Sequence, residues 1–390
     1  MNASEKIRLM ILGHANRYAG GLSVGQNLLA ELLYWSGEFE MMAVLPACCG
    51  YESIVKDSPI QKYWFAQQGS RLRRYFFDQI VLKRLAQQFR PDAVLALGHL
   101  GFPSLGGIQL VRLADAHFVY PKNQWGPMSW KEKLRYGVQQ KQFLWTVRNA
   151  AVIYCQTQTM MQRLQDKYHP AGWIRLLPNV LGWKSVEETG KEPLRIPDWT
   201  QRRFRMICLC RYYGHKNLEI FVPLYKAYRE QLRDTLLFLT IEPHQDPRAA
   251  RLLCQIEREG LQGQIVNLGP IPQSAIGRYF SQCQALLFPT LLESFSATYL
   301  EAMHYGLPII TSRMDFAQEI CEDAALYCEP LSVNSIYECI ERLRKEPMIV
   351  GQLKKAMSDR IAVLSRWTWK QNAERIVNDI KELVRTGGRC

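Results

Sequence analysis

The sequence predicts an α/β protein built from two successive domains, each a parallel sheet wrapped by helices. Three observations lead there. Short apolar runs alternate with longer stretches of helical period along nearly the whole chain, the pattern of β-then-α units. That alternation breaks once, over 184–201, where Glu187, Glu188, Gly190, Pro193 and Pro197 replace periodicity with linker chemistry, and then restarts. Finally, 390 residues exceed what one hydrophobic core organises, so two domains of roughly 150–200 residues are expected.

In the first half, Ile7–Leu12 reads as a strand, followed by a glycine-containing loop and an apolar-periodic helix over Leu22–Trp35. Met41–Leu45 is the next short run, and Leu82–Phe89 reads as a helix stopped by Pro91. Ala93–Leu97 and Gln109–Leu113 are strands, Trp130–Asn149 a long amphipathic helix, Val152–Cys155 a strand and Thr157–Tyr168 a helix. After the break, strands are expected at Arg205–Leu209, Leu236–Thr240, Ile265–Leu268, Ala285–Phe288, Pro308–Thr311 and Ala325–Cys328. Helices are expected at Leu218–Gln231, Arg248–Glu259, Ser274–Gln282, Ser296–His304, Val333–Lys345, Ile349–Leu364 and Thr368–Val384. No repeat of solenoid period appears. In paired sheets of this kind ligands bind outside the carboxyl ends of the strands, here expected to face an interdomain cleft.

Composition narrows the function classes. A 47% apolar content is that of a globular chain. No apolar run approaches the roughly 20 residues of a membrane span, and the N-terminal apolar piece is too short for a signal peptide, so a cytoplasmic protein is expected. The eleven cysteines include two close groups, Cys48/Cys49 and Cys208/Cys210, neither with a second pair or a histidine at zinc spacing. They are read as reduced, mostly buried thiols, and no metal site is expected. Net charge is +13, and residues 1–200 carry 24 Lys/Arg against 15 Asp/Glu. A basic half fits a polyanionic partner or a merely solvated surface. No nucleic-acid motif with interleaved aromatics appears, so no nucleic acid is expected. Arg71, Arg73 and Arg74 beside Tyr75, Phe76 and Phe77 motivate peripheral contact with an anionic membrane, at its inner face.

Two segments carry chemistry. The first runs Pro289-Thr290-Leu291-Leu292-Glu293-Ser294-Phe295-Ser296-Ala297-Thr298-Tyr299-Leu300-Glu301-Ala302-Met303. Pro289 ends a strand, and Ser294 or Ser296 is a candidate helix cap. Glu293 falls in the loop and Glu301 one to two turns into the helix, with the N–H groups of the helix start between them as a ready anion site. That suits a nucleotide-sugar: the diphosphate at the helix end, the ribose hydroxyls on Glu301, sugar hydroxyls on Glu293. A surface loop residue and a dipole-favouring glutamate would look the same in sequence. The second segment is Cys210-Arg211-Tyr212-Tyr213-Gly214-His215-Lys216-Asn217-Leu218, again after a strand, with Asn217 a candidate cap. Arg211 and Lys216 could reach a diphosphate and stabilise it as it departs, or be two solvated cations of a basic protein.

Together R-x4-K-N, E-x7-E-A-M and the following His304-Tyr305-Gly306-Leu307-Pro308-Ile309-Ile310 resemble the GT-B-fold retaining glycosyltransferases of family 4. The likeness extends to Leu177-Pro178-Asn179-Val180, Asn267-Leu268-Gly269, Ser312–Glu319, Ala324–Pro330 and Trp369, and is dense from about 205 to 330. It implies GT-B architecture with two Rossmann-like domains: residues 1–180 on the acceptor side, a linker at 181–203, a nucleotide-sugar domain over 204–365 and a final helix, about 366–390, crossing back to the first domain. By resemblance Arg211 and Lys216 bind the donor diphosphate, Glu301 the ribose and Glu293 the donor sugar, with the backbone of Phe295, Ser296 and Ala297 alongside. The reaction then retains anomeric configuration and needs no metal and no cofactor beyond its UDP- or GDP-sugar donor. The leaving phosphate helps to activate the acceptor. Ser296 departs from the family, which often has glycine there. Gly20-Gly21, ahead of the Leu22–Trp35 helix, resembles the family's glycine loop near the leaving phosphates, and His117 a histidine facing the donor sugar. Asp115 is a rival for that role, and Gln156 and Thr157 are candidate acceptor contacts.

The sequence thus reads as a hexosyltransferase moving sugar to a saccharide or lipid-linked acceptor in surface glycan biosynthesis. A non-hydrolysing nucleotide-sugar epimerase and a non-catalytic nucleotide-sugar-binding partner are the alternatives.

Overall fold

The computed structural model describes residues 6–66, 74, 76–181 and 193–388. They divide into two units: Met1–Val119, Ser129–Asn179 and Trp367–Cys390 in the first, Tyr120–Met128 and Val180–Arg366 in the second. The excursion of 120–128 into the second unit has no counterpart in the sequence pattern.

The first unit holds strands β1 (Ile7–Leu12), β2 (Phe39–Pro46), β3 (Gln61–Phe65), β4 (Ala93–Ala96), β5 (Ile108–Arg112), β6 (Val152–Cys155) and β7 (Trp173–Leu176). All pairs are parallel, in the order β3-β2-β1-β4-β5-β6-β7. Its helices are α1 (Ala19–Leu32), α2 (Tyr51–Val55), α3 (Leu82–Phe89), α4 (Trp130–Asn149) and α5 (Gln158–Tyr168), with the C-terminal helix Trp369–Arg385 packed back onto it. Alternate residues of β1 face opposite sides. Leu9 and Ile11 meet Leu28, Leu29 and Leu32 of α1 and Ile376, Val377 and Ile380 of the C-terminal helix. Met10 and Leu12 meet Leu82, Ala86 and Phe89 of α3. A sheet covered on both faces needs strands apolar on both, so β1 and β4 read as continuous hydrophobic runs.

The second unit repeats the plan with β8 (Phe204–Cys208), β9 (Thr235–Leu239), β10 (Ile265–Asn267), β11 (Ala285–Phe288), β12 (Ile309–Ser312) and β13 (Ala325–Cys328). Their order is β10-β9-β8-β11-β12-β13, all parallel. Around them lie α6 (Phe221–Ala227), α7 (Pro247–Arg258), α8 (Ile276–Phe280), α9 (Ala297–His304), α10 (Asp315–Cys321), α11 (Val333–Lys345) and α12 (Pro347–Leu364), and the C-terminal helix is therefore α13. Residues 193–203, expected as linker, pack on this unit: Arg195 N–H donates to the Tyr279 hydroxyl at 3.1 Å, and Thr200 is fully buried. The rest of the expected linker, 182–192, lies outside the described residues.

Strands β3 and β7 escaped the sequence reading for one reason. Both are sheet edges, only partly buried, so neither forms an apolar run. The helix expected over Leu218–Gln231 is shorter, a 3₁₀ turn at Leu218–Ile220 followed by α6. Helix α1 begins at Ala19, so Gly20 and Gly21 are in its first turn rather than before it. Cys155, Cys208, Cys283, Cys321, Cys328 and Cys339 are buried free thiols.

Helix α13 buries Ala373, Ile376, Val377, Ile380 and Leu383 in the first unit's core, and its Asp379 accepts from the Tyr154 hydroxyl at 2.9 Å. Ile380→Ala is therefore expected to destabilise that unit by about 2–5 kcal/mol in urea denaturation.

Candidate active site

In the second unit the strand order reverses between β8 and β11, the crevice where open α/β sheets bind ligands. Two loops leave the carboxyl ends there, 209–217 after β8 and 289–296 after β11, and they are stitched together. Leu291 N–H donates to the His215 carbonyl at 2.7 Å, and the Thr290 hydroxyl oxygen lies 3.1 Å from the same carbonyl oxygen. Asn217, expected as a helix cap, instead takes a left-handed conformation (φ 59°) and makes no cap bond. Its buried amide donates to the carbonyls of Pro289 at 3.1 Å and Pro330 at 2.6 Å. An asparagine tolerates that backbone and supplies both donors, which fixes the loops against each other.

This stitching brings Lys216 and Glu293, 77 residues apart, into an ion pair of 2.5 Å. The two side chains are 11% and 10% exposed. Thr290 also donates to Glu293 Oε1 at 2.8 Å, and the Lys216 ammonium lies 4.7 Å from the Phe288 ring centroid. Burial opposes the charge on Lys216, but the attraction of Glu293 and its hydrogen bond outweigh it, and the lysine pKa is raised. Sequence spacing separated the two roles, Lys216 on phosphate and Glu293 on sugar; the structure ties them together. Arg211 is half-buried at the start of the same loop.

Helix α9 starts beside Glu293. Ser296 occupies its N-cap position, yet its side chain makes no cap bond, contrary to the capping expected of Ser294 or Ser296, and its first turn contains no acidic residue. Helices α4 and α13 carry full capping boxes and α5, α7 and α11 are capped by Thr157, Asp246 and Ser332, whereas α2, α3, α6, α8, α10 and α12 lack a side-chain cap as α9 does. A helix start without a side-chain cap keeps its N–H groups and dipole available to an anion. Phe295 and Ser296 are buried, Ala297 half-buried, and Glu301 is 5% exposed one turn further in, a depth carboxylates seldom reach unless paired or bound.

The excursion 120–128 braces this loop. A side chain on Gly214 would collide with the Pro127 carbonyl, and one on Gly126 (φ 71°) would lie 2.8 Å from the Gly214 carbonyl. Arg248 donates to the Pro127 carbonyl at 2.8 Å while its fork holds Asp246 at 2.8 Å. The close approach requires both glycines.

In the first unit, α1 follows β1 with no side-chain cap on Tyr18 and no first-turn acid. A Cβ at Gly20 would meet nothing within 4 Å, so packing does not explain that glycine. His117 and its expected rival Asp115 act together. Asp115 accepts from the His117 backbone at 3.0 Å and pairs with His117 Nδ1 at 2.6 Å, while the Tyr136 hydroxyl donates to its other oxygen at 2.9 Å. A carboxylate on Nδ1 selects the tautomer that leaves Nε2 the basic nitrogen. Burial alone would raise the Asp115 pKa, but hydrogen bonds from His117 and attraction to His117 and His99 outweigh it and lower it well below 3.8. Tyr136 was not anticipated; it sits in the middle of α4, where its period reads as core. Thr157 is the N-cap of α5, accepting from Met160 N–H at 3.2 Å, and Gln156 donates to the Leu113 carbonyl at 3.3 Å, so both are engaged within the fold.

The basic–aromatic cluster expected at the membrane is described only in part. Arg71, Arg73 and Tyr75 lie outside the described residues. Arg74 is held by both oxygens of Asp78, at 2.9 and 2.8 Å, and Phe77 is in the core. Phe76 remains exposed. Among the described residues no helix is long and apolar enough to cross a membrane.

Residues 195–362 match the family of the glycosyl transferases group 1, so the second unit carries a domain of that type. An O-antigen chain mannosyltransferase B from Escherichia coli is 30% identical over 81 residues, 21% of this chain and 21% of the relative. A sucrose synthase from Acidithiobacillus caldus is 30% identical over 95 residues, 23% of this chain and 12% of the relative. Across the whole chain the fold is that of GT-B glycosyltransferases. A sucrose-phosphate synthase structure from Thermosynechococcus elongatus superposes with TM-score 0.73 at 17% identity, covering 98% of this chain and 100% of that one. A UDP-forming alpha,alpha-trehalose-phosphate synthase from Burkholderia vietnamiensis gives 0.71 at 12%, covering 99% of each. Anabaena HepE in complex with UDP and glucose gives 0.63 at 16%, covering 95% and 100%.

Two outcomes follow from the site geometry. Glu293→Ala leaves a buried ammonium unpaired and is expected to cost about 3–5 kcal/mol in chemical denaturation, most of it recovered when Lys216→Met is added. Asp115, whose pKa is lowered by folding, adds stability at pH above its ordinary 3.8, and that contribution is lost as pH falls through its folded value. The stability difference between the chain and its Asp115→Asn variant should therefore be full at neutral pH, begin to shrink as pH falls to about 3.8 and be gone below the folded value.

Proposed function

We propose that this chain is a retaining, metal-independent glycosyltransferase that moves a hexose-type sugar from a nucleotide diphosphate-sugar to a saccharide or lipid-linked saccharide in surface glycan biosynthesis. The observation that carries the reading is the Lys216–Glu293 pair set beside the α9 start, which lacks a side-chain cap, at the strand-order reversal, inside the stretch matching group 1 glycosyl transferases. The donor diphosphate lies against the first turn of α9, with Lys216 and Arg211 closing over it. Glu301 accepts from the ribose hydroxyls. Glu293, already bonded to Lys216 and Thr290, keeps acceptor capacity for a sugar hydroxyl and holds the lysine in register.

Charge develops on the diphosphate as the glycosidic bond breaks. Preorganised cations and helix N–H groups stabilise it there, the task a divalent metal performs elsewhere. The sugar oxocarbenium and the leaving phosphate remain on one face, so the acceptor hydroxyl gives its proton to the departing phosphate and attacks from that side, with retention. His117, its tautomer set by Asp115, orients a donor-sugar hydroxyl. A UDP-sugar is favoured over GDP because HepE was solved with UDP and with UDP-glucose; the mannosyltransferase relative and the 195–362 match support the transferase class.

Thermal-shift screening against UDP-, GDP- and ADP-sugars tests the donor, since a ligand selective for the native state raises its melting point. Lys216→Ala is expected to lower turnover about 10²–10³-fold, and Glu301→Ala to weaken donor binding. Unchanged turnover in both variants overturns the assigned site, and product formed without acceptor favours an epimerase.

A further inference from the structure

Helix α4 is apolar on two opposite sides. Its inward side is accounted for: Tyr136, Phe143, Thr146 and Val147 are buried. At about 100° per residue, Trp130, Leu134 and Val138 form a second stripe half a turn away. These three are 70%, 62% and 63% exposed. An amphipathic surface helix would place polar residues there. A contiguous apolar stripe facing solvent marks an interaction surface rather than a scattered surface leucine.

The charges around the stripe say what it meets. Lys141 and Arg148 fall along it, and Lys131, Lys133 and Arg135 along its margins, all exposed. The helix contains one acid, Glu132, and that carboxylate is turned to the helix end, accepting from Ser129 N–H at 2.7 Å and the Ser129 hydroxyl at 2.8 Å in the capping box. Lys131 lies 5.5 Å from the Trp130 ring centroid, so its ammonium rides beside the apolar stripe. A second copy of the chain is a poor occupant, because a two-fold contact would set the basic margins against each other.

We propose that this face seats α4 on an anionic phospholipid bilayer, lying parallel to the surface with Trp130, Leu134 and Val138 entering the headgroup–acyl boundary and the flanking lysines and arginines on lipid phosphates. The proposal stands on α4 alone and is independent of the donor-site reading. It does not draw on the 71–77 stretch, of which Arg74 and Phe77 are engaged within the fold.

The test is co-sedimentation of the full chain with phosphatidylglycerol/phosphatidylcholine vesicles and with pure phosphatidylcholine vesicles, at low and high salt. The chain should bind the anionic vesicles at low salt, release in high salt and ignore pure phosphatidylcholine. Leu134→Glu/Val138→Glu should abolish binding, and each of Lys131→Ala and Lys133→Ala should weaken it roughly fivefold. Circular dichroism and the melting-point rise with UDP-sugar, read on the same samples, establish that the variants are folded and score the donor site separately. Failure to bind anionic vesicles at low salt overturns the proposal. So does equal binding by the glutamate variant, or an oligomer of the chain that the variant dissolves.

Discussion

The ion pair between Lys216 and Glu293 is the contact on which the second unit's site depends. A buried lysine without a partner would shed its proton or force the loop open. A buried glutamate alone would do the reverse. Joined to Glu293, the lysine holds its charge, and the loops that carry the pair become one surface at the point where the strand order reverses. Everything packed nearby serves that junction: Thr290 holds the carboxylate, Asn217 clamps the carbonyls on either side, and Gly214 and Gly126 let the 120–128 segment press against the loop from behind. The cost of leaving either charge unpaired explains why so many polar bonds converge on two residues.

Some helix starts are closed by their own side chains, as Ser129 with Glu132 and Thr368 with Gln371 show, and others, α2, α3, α6, α8, α10 and α12 among them, are not. Helices α1 and α9, which open from strands bordering the reversal points, are left without a side-chain cap. In the first unit the dominant constraint is instead the orientation of an imidazole. Asp115 pairs with Nδ1 of His117 and Tyr136 holds that carboxylate, so the ring's other nitrogen has a defined direction.

Helix α4 links that network to the surface. Its inner side supplies Tyr136 to the histidine site, and its outer side presents Trp130, Leu134 and Val138 to solvent. A helix with two apolar sides has almost no amphipathic contrast, which is why its period reads simply as a long core helix and conceals both the tyrosine's polar role and the outward stripe.

Much of the architecture was legible from local pattern. Strands β1, β6 and β11 and helices α4 and α11 fall where the apolar periodicity placed them, because central parallel strands are buried on both faces and are mostly apolar, and so does β13, an edge strand that is nonetheless largely buried. The edge strands β3 and β7 were not legible, since a half-exposed edge tolerates mixed composition. The candidate residues Arg211, Lys216, Glu293 and Glu301 were named from spacing and resemblance, because the chemistry of a loop leading into a helix is local. What only the tertiary structure decided was their pairing and support: that Lys216 meets Glu293, that Asp115 serves His117 rather than competing with it, that Asn217 clamps rather than caps, and that residues 120–128 pack with the second unit. Each of these joins groups through space that the chain separates or leaves equivalent. Period and propensity describe neighbours along the backbone, whereas the free energy of a buried charge depends on whatever the fold brings beside it.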